Sequence, residues 1–236
     1  MRIGILKCGQ SPELLRGELG DYDTMFERLL AGRGFDFASY HVENMEFPES
    51  VHDAEGWLLT GSRHGAYEGH AFIPPLEDFI RRAYAAHVPM VGICFGHQII
   101  AQALGGKVAK HPGGWAVGPQ DYDFGGETVT LNAWHQDQVA ERPADAEVVA
   151  SNDFCENAAL VYDTRAFTVQ AHPEFEDAFI EGLIDHRAKG VVPEDLQRQA
   201  RARLGGPRHS AGIADRIEAF FKAPRAFAAQ RKQGAA

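Results

Sequence analysis

Two short motifs hold the residues best suited to covalent chemistry. The first is Val91-Gly92-Ile93-Cys94-Phe95-Gly96-His97-Gln98, where an apolar run over residues 88–93 ends at a cysteine with glycines two positions before and after it. Behind it, Gln98-Ile99-Ile100-Ala101-Gln102-Ala103-Leu104 reads as a helix. This is the layout of a nucleophile elbow with a thiol in place of a serine. A strand delivers the residue and a sharp turn exposes it. The N-terminus of the next helix then points N–H groups and its positive dipole end at the sulfur, an arrangement that favours a thiolate. The glycines let the turn close and let a substrate approach the backbone. A buried structural cysteine is the commoner fate of such a residue, so the G-x-C-x-G pattern alone leaves both readings open.

The second motif is Ala171-His172-Pro173-Glu174, which follows a strand-like stretch over residues 167–171. A cysteine nucleophile needs a base within hydrogen-bond reach, and the base needs an acceptor to orient it. Pro173 pushes His172 toward extended backbone. Residues two apart in extended backbone point the same way, which sets Glu174 beside His172. His-Pro-Glu by itself reads more simply as a surface turn at a helix start. The cysteine motif and the histidine motif together are far more specific than either.

The elements that must position these residues follow from periodicity. Strands are expected at residues 2–7, 35–42, 56–59 and 89–93, with a polar loop at 9–21 and helices at 22–31 and 74–87. Strands alternating with helices predict an α/β fold, a mostly parallel sheet with helices on both faces. In such sheets the chemistry sits at the carboxyl ends of strands, where Gly61, Cys94 and His172 all fall. Residues 107–162 read as a β-rich excursion of short strands (116–122, 128–131, 148–151 and 159–162), with return to the main sheet at Phe167. A helix at 175–189 closes a catalytic unit over residues 1–189. Residues 190–236 form a helical extension on the same unit, with helices at 194–204 and 212–221 that read as cover for the core rather than as a docking surface. Residues 226–236 read as a frayed end.

At 236 residues and 44% hydrophobic content the chain suits one α/β unit with a full core. The net charge of −10 and the lack of a basic stripe exclude nucleic acid as the expected partner. No apolar run reaches membrane-spanning length. The start of the chain, Met1-Arg2-Ile3-Gly4-Ile5-Leu6, reads as a first strand rather than a signal peptide. The three cysteines, Cys8, Cys94 and Cys155, are odd in number and far apart. They fit neither a disulfide framework nor a zinc spacing. A free catalytic thiol fits a reducing compartment, and the expected location is cytoplasmic. The eleven histidines include no H-E-x-x-H pair. His64 and His70, which flank a glycine-rich loop, are expected to be solvated. Neither a metal nor a cofactor is expected.

Residues 92–98 and His172-Pro173-Glu174 resemble the class I glutamine amidotransferases, the triad glutaminases. Leu58-Leu59-Thr60-Gly61-Ser62 is similar to the family's oxyanion strand, and Lys107-Val108 after Gly105-Gly106 also fits its pattern. The resemblance spans residues 1–185, is nearest to stand-alone GMP-synthase-like members, and over residues 92–100 extends to plant γ-glutamyl peptidases. It implies a flavodoxin-like fold and a triad of Cys94, His172 and Glu174. It also implies an oxyanion hole from the N–H groups of Gly61 and Phe95, and contact of Gln98 with the glutamyl head. Trp134-His135-Gln136-Asp137 occupies the place of a loop that holds the substrate's α-amino and α-carboxylate groups, with Trp134 and Gln136 where the family has small residues. Thr60-Gly61-Ser62 likewise replaces the common Gly-Gly-Pro. The implied reaction is hydrolysis of the γ-amide of glutamine or a γ-glutamyl compound through a thioester. Two alternatives remain: a glutaminase subunit feeding ammonia to a separate synthetase, and a non-catalytic binding or regulatory protein on the same fold.

Overall fold

The computed structural model describes residues 1–224, 226 and 227. Its first half alternates as β1 (Arg2–Leu6), α1 (Glu13–Leu19), α2 (Tyr22–Leu29), β2 (Asp36–Tyr40), β3 (Gly56–Leu59), α3 (Ile73–Ala85), β4 (Met90–Ile93) and α4 (Phe95–Ala103). The central stretch is β5 (Lys107–Lys110), β6 (Ala116–Asp123), β7 (Thr128–His135), β8 (Asp137–Glu141), β9 (Glu147–Ala150), β10 (Ala159–Tyr162) and β11 (Ala166–Val169). Three helices follow, α5 (Asp177–Arg187), α6 (Glu194–Arg203) and α7 (Ser210–Lys222). The seven-stranded main sheet runs β2-β1-β3-β4-β11-β10-β9. Its first five strands are parallel, while β10 and β9 are antiparallel to their neighbours.

Side chains alternate across a strand, and that period builds two cores. Ile3, Ile5, Leu58, Val91, Ile93, Phe167 and Val169 point to one face and pack on Phe26 of α2 and on Ile213, Ile217, Phe220 and Phe221 of α7. Leu6, Trp57, Leu59 and Met90 point to the other face and meet Leu76, Phe79 and Ile80 of α3 with Ile99 and Ile100 of α4. The sheet is thus covered on both sides. Each fully buried large apolar side chain of α7 contributes roughly 1.5–3 kcal/mol, so this helix is a structural wall of the first of these cores. α6 lies on the β6–β7 ribbon, with Ala200 against Gly118 and Arg203 paired to Asp121 at 2.8 Å.

Two expectations need correction. Residues 9–21 are not all loop, because α1 forms within them, with Leu15 buried against Gly182 of α5. The chain also rejoins the main sheet at β9, well before Phe167, so the excursion is confined to the β5–β8 and β6–β7 pairs. Among the described residues no helix is long and apolar enough to cross a membrane. The reading of 226–236 as frayed lies outside the described residues apart from 226 and 227.

Candidate active site

β4 sits between β3 and β11, with Leu59 opposite Gly92 and Val169 opposite Ile93. The carboxyl ends of these three parallel strands therefore lie side by side and carry Gly61, Cys94 and His172 to one place. Cys94 itself has φ 54° and ψ −104°, a left-handed region that costs a non-glycine residue of order 1–3 kcal/mol. The turn is held by Cys94 N–H donating to Val169 O at 2.9 Å, Gly96 N–H donating to Thr60 O at 3.1 Å and Gln98 N–H donating to Cys94 O at 3.0 Å. α4 begins directly after the cysteine, three residues earlier than the sequence suggested.

Both flanking glycines answer to packing. A Cβ on Gly92 would stand 2.5 Å from Gly96 O, and one on Gly96 would stand 2.3 Å from Leu59 O. These clashes are with backbone and cannot be relieved by a rotamer change. Gly96→Ala is expected to destabilise the protein by about 1–3 kcal/mol or more, read as a lowered denaturation midpoint in urea. An unchanged midpoint would show that β3 and α4 can separate freely.

His172 is held from three directions. Its N–H donates to Asn132 O at 2.8 Å, and Asn132 Nδ2 donates to Phe175 O at 2.9 Å, tying β7 to the turn. The Phe175 ring stacks on the imidazole at 3.8 Å and 4°. Nδ1 bonds Glu174 Oε1 at 2.6 Å, and Cys94 acts on the same ring electrostatically. Both partners of the ion pair are nearly inaccessible, at 4% and 0% side-chain exposure. Burial opposes charge on the ring, but Glu174 and Cys94 outweigh it and raise the pKa from 6.5 to about 10. His172 is therefore an imidazolium at neutral pH, set between a carboxylate and a sulfur.

A Cβ at Gly61 would meet His172 Cε1 at 3.0 Å and Cys94 Cβ at 3.9 Å, so this backbone faces the pair directly. The N–H of Phe95 opens α4 and lacks an intrahelical acceptor. Among the described residues the Gly61 N–H bonds no other backbone carbonyl.

Cys94 and His172 line a cavity of about 260 Å³ together with Gln98, Trp134, His135, Gln136 and Asp137. All the substrate-contact candidates thus reach one chamber. The residues 134–137 are the passage from β7 to β8 rather than a free loop. Gln98 Nε2 donates to Asp137 O at 2.8 Å and to Gln170 Oε1 at 3.1 Å, which leaves its carbonyl oxygen as the free group. His135 Nδ1 pairs with Asp137 O at 3.2 Å. A carbonyl only accepts, so Nδ1 carries the proton and Nε2 is a lone-pair acceptor. Burial and the nearby His172 charge lower the His135 pKa to about 3, keeping it neutral. Cys8 and Cys155 do not line this cavity, and burial pushes both thiols up, Cys155 to about 12.

Sequence reasoning missed Asn132, Phe175, Tyr22 and Trp115. Tyr22 stacks on Phe175 at 6.0 Å, and Trp115 stands 6.1 Å from Trp134 in the cavity wall. Phe175 had a local signal, since it directly follows the His-Pro-Glu motif. The expectation that His64 and His70 are solvated holds for only one of them: His70 is 39% exposed but His64 only 15%, and their rings lie 3.9 Å apart against Phe72.

Residues 24–178 match the family model described as glutamine amidotransferase class-I. γ-Glutamyl peptidase 4 of Arabidopsis thaliana is 30% identical over 210 residues, covering 81% of this chain and 83% of that one. One of the subunits of the glutamine-hydrolysing GMP synthase of Methanopyrus kandleri is 32% identical over 168 residues, covering 62% and 83%. A glutamine amidotransferase structure from Methylobacillus flagellatus superposes with a TM-score of 0.74 at 21% identity, covering 95% of this chain and 94% of the other, which establishes the shared fold. With about two thirds of its length inside the family model, the chain belongs to the class I glutamine amidotransferase family.

Proposed function

We propose that the protein is a cysteine-dependent hydrolase of γ-glutamyl amides, acting on glutamine or a γ-glutamyl compound. The observation that carries this reading is the buried arrangement of Cys94, His172 and Glu174 at the wall of one chamber. Cys94 sulfur attacks the γ-carbonyl carbon. The C–N bond breaks, His172 protonates the departing amine, and a γ-glutamyl thioester remains. Water, deprotonated by His172, then attacks the thioester carbon, and glutamate leaves as the thiol is restored. The oxyanion formed at each step is met by the N–H groups of Phe95 and Gly61. Loss of one such donor costs about 3 kcal/mol of transition-state stabilisation.

Gln98 Oε1 is an acceptor and suits the substrate's α-ammonium group, with the buried His135 ring in the wall beside it. Trp134, Gln136 and Asp137 form the wall against which the glutamyl head rests. No cofactor enters this scheme.

The peptidase-like reading rests on the similarity to γ-glutamyl peptidase 4. The similarity to the Methanopyrus kandleri GMP synthase component supports a second reading, a glutaminase that delivers ammonia to a synthetase partner. Glutamate release from glutamine and from a panel of γ-glutamyl dipeptides separates the two. Unaided turnover of the dipeptides is expected. Weak activity restricted to glutamine, rising with an added synthetase, would favour the second reading. Inactivity on every member, with Cys94 inert to an electrophilic glutamine analogue, would leave a binding or regulatory protein.

A further inference from the structure

The loop between β3 and α3 carries a second cluster of side chains able to do chemistry. His70 Nε2 lies 2.7 Å from Glu68 Oε2, and His64 Nδ1 lies 3.9 Å from the same oxygen. Ligand atoms of His64, Glu68 and His70 all fall within 4.8 Å of one another, close to the spacing a single ion would impose. The other nitrogen of His64, Nε2, bonds Glu43 Oε1 at 2.9 Å. A carboxylate only accepts, so His64 Nε2 carries a proton, and Nδ1 is the nitrogen turned toward Glu68. A carboxylate that holds one histidine nitrogen and frees the other for a metal is the usual support of a histidine ligand. Glu43 is 17% exposed and His64 15%, so this supporting pair is itself held within the fold.

The rest of the cluster is also built. Phe72 is buried and packs on both imidazoles, at 5.8 and 6.0 Å, and stands 6.1 Å from Phe95. His64 N–H donates to Ser62 Oγ at 3.2 Å, and Glu68 N–H donates to Gly65 O at 3.0 Å. His64 and Glu68 line the catalytic chamber, while His64 and His70 line a neighbouring cavity of about 680 Å³. The cluster stands in the wall between the two.

From these contacts we propose that His64 Nδ1, Glu68 Oε2 and His70 Nε2 form a zinc-type divalent cation site at the lip of the catalytic chamber, with Glu43 fixing the ligand form of His64. Two imidazoles and one carboxylate suit zinc and its neighbours in the first transition row. Magnesium and calcium need all-oxygen sets that this loop does not supply. Three protein ligands leave a fourth position for water or for a donor atom of whatever occupies the chamber. The two histidine–glutamate contacts give way to metal bonds when an ion binds.

The catalytic sulfur and imidazole would compete for a soft cation, so the test uses the full chain carrying Cys94→Ser. Zinc binding is followed by calorimetry, and cobalt(II) serves as the visible-absorption probe. One ion per chain is expected, with a four-coordinate cobalt spectrum lacking thiolate charge transfer. His70→Gln and Glu68→Gln should each weaken binding by about tenfold or more, and Glu43→Gln by about 10–100-fold. His70 and Glu68 are 39% and 45% exposed, so these variants should match the parent in melting temperature without metal. Failure of any ion to bind saturably would overturn the proposal. So would binding that is untouched by His70→Gln and Glu68→Gln, or binding abolished only by His172→Asn.

Discussion

Cys94→Ser is expected to lower glutamate release by roughly 10⁴-fold or more while leaving the melting temperature within a few degrees of wild type. The side chain changes by one atom in a 6% exposed position, so packing is nearly conserved. The chemistry is not. Cys94 is one of the groups that hold the His172 pKa up, after Glu174 and against the penalty of burial. A neutral hydroxyl removes that contribution, and an alcohol is a far poorer nucleophile than a thiolate unless a strong base activates it. The positive φ of residue 94 is backbone strain already built into the elbow, and serine inherits it without the sulfur's benefit. The measurement is kcat/KM for glutamine and a γ-glutamyl dipeptide, beside labelling by an electrophilic glutamine analogue and a thermal melt. Retained turnover in a folded variant would remove Cys94 as the nucleophile.

The parts of the molecule that were legible in the sequence are those determined within about ten residues. The elbow is one, because the strand, the cysteine and the helix are contiguous and the two glycines mark the close approach. His172 and Glu174 are another, since the intervening proline places both on one side of an extended turn. The parallel core was legible from alternating strands and helices. What stayed hidden is set by contacts between distant segments. Asn132 bonds His172 from a strand forty residues earlier, and nothing local distinguishes it from other polar residues of β7. Tyr22 and Trp115 reach the chamber only because α2 and β6 pack where they do. The short α1 was hidden because Gly17 interrupts its helical pattern. The antiparallel membership of β9 and β10 in the main sheet depends on pairing, on which a four-residue apolar run is silent. His64, Glu68 and His70 lie in a polar, glycine-containing loop with no helical or strand period, so only the fold shows that the two rings meet.

Glu174→Gln is expected to cut kcat/KM by roughly 10²- to 10⁴-fold and to change how stability depends on pH. Among the described residues, Glu174 Oε2 has no hydrogen-bond partner. The buried carboxylate is therefore compensated through Oε1 and the His172 ring, 2.6 Å away. Glutamine preserves the volume but can turn its amide N–H toward Nδ1. That leaves a neutral ring in place of the imidazolium, which neither pairs with the sulfur as a cation nor protonates the departing amine effectively. The pH argument has a definite sign. The His172 pKa is raised on folding from 6.5 to about 10, so the folded state holds a proton that the unfolded chain releases earlier. Its stabilisation is complete below about pH 6.5, declines as pH rises and is gone above about pH 10. Without Glu174 the largest favourable influence on the ring is lost, the folded pKa falls, and this window contracts from its alkaline end. Wild type should lose melting temperature between pH 7 and 10 more steeply than Glu174→Gln, with the two curves converging in slope above that range. Parallel curves throughout would mean that His172 is not held in its charged form by Glu174, and the orienting role would fail with it.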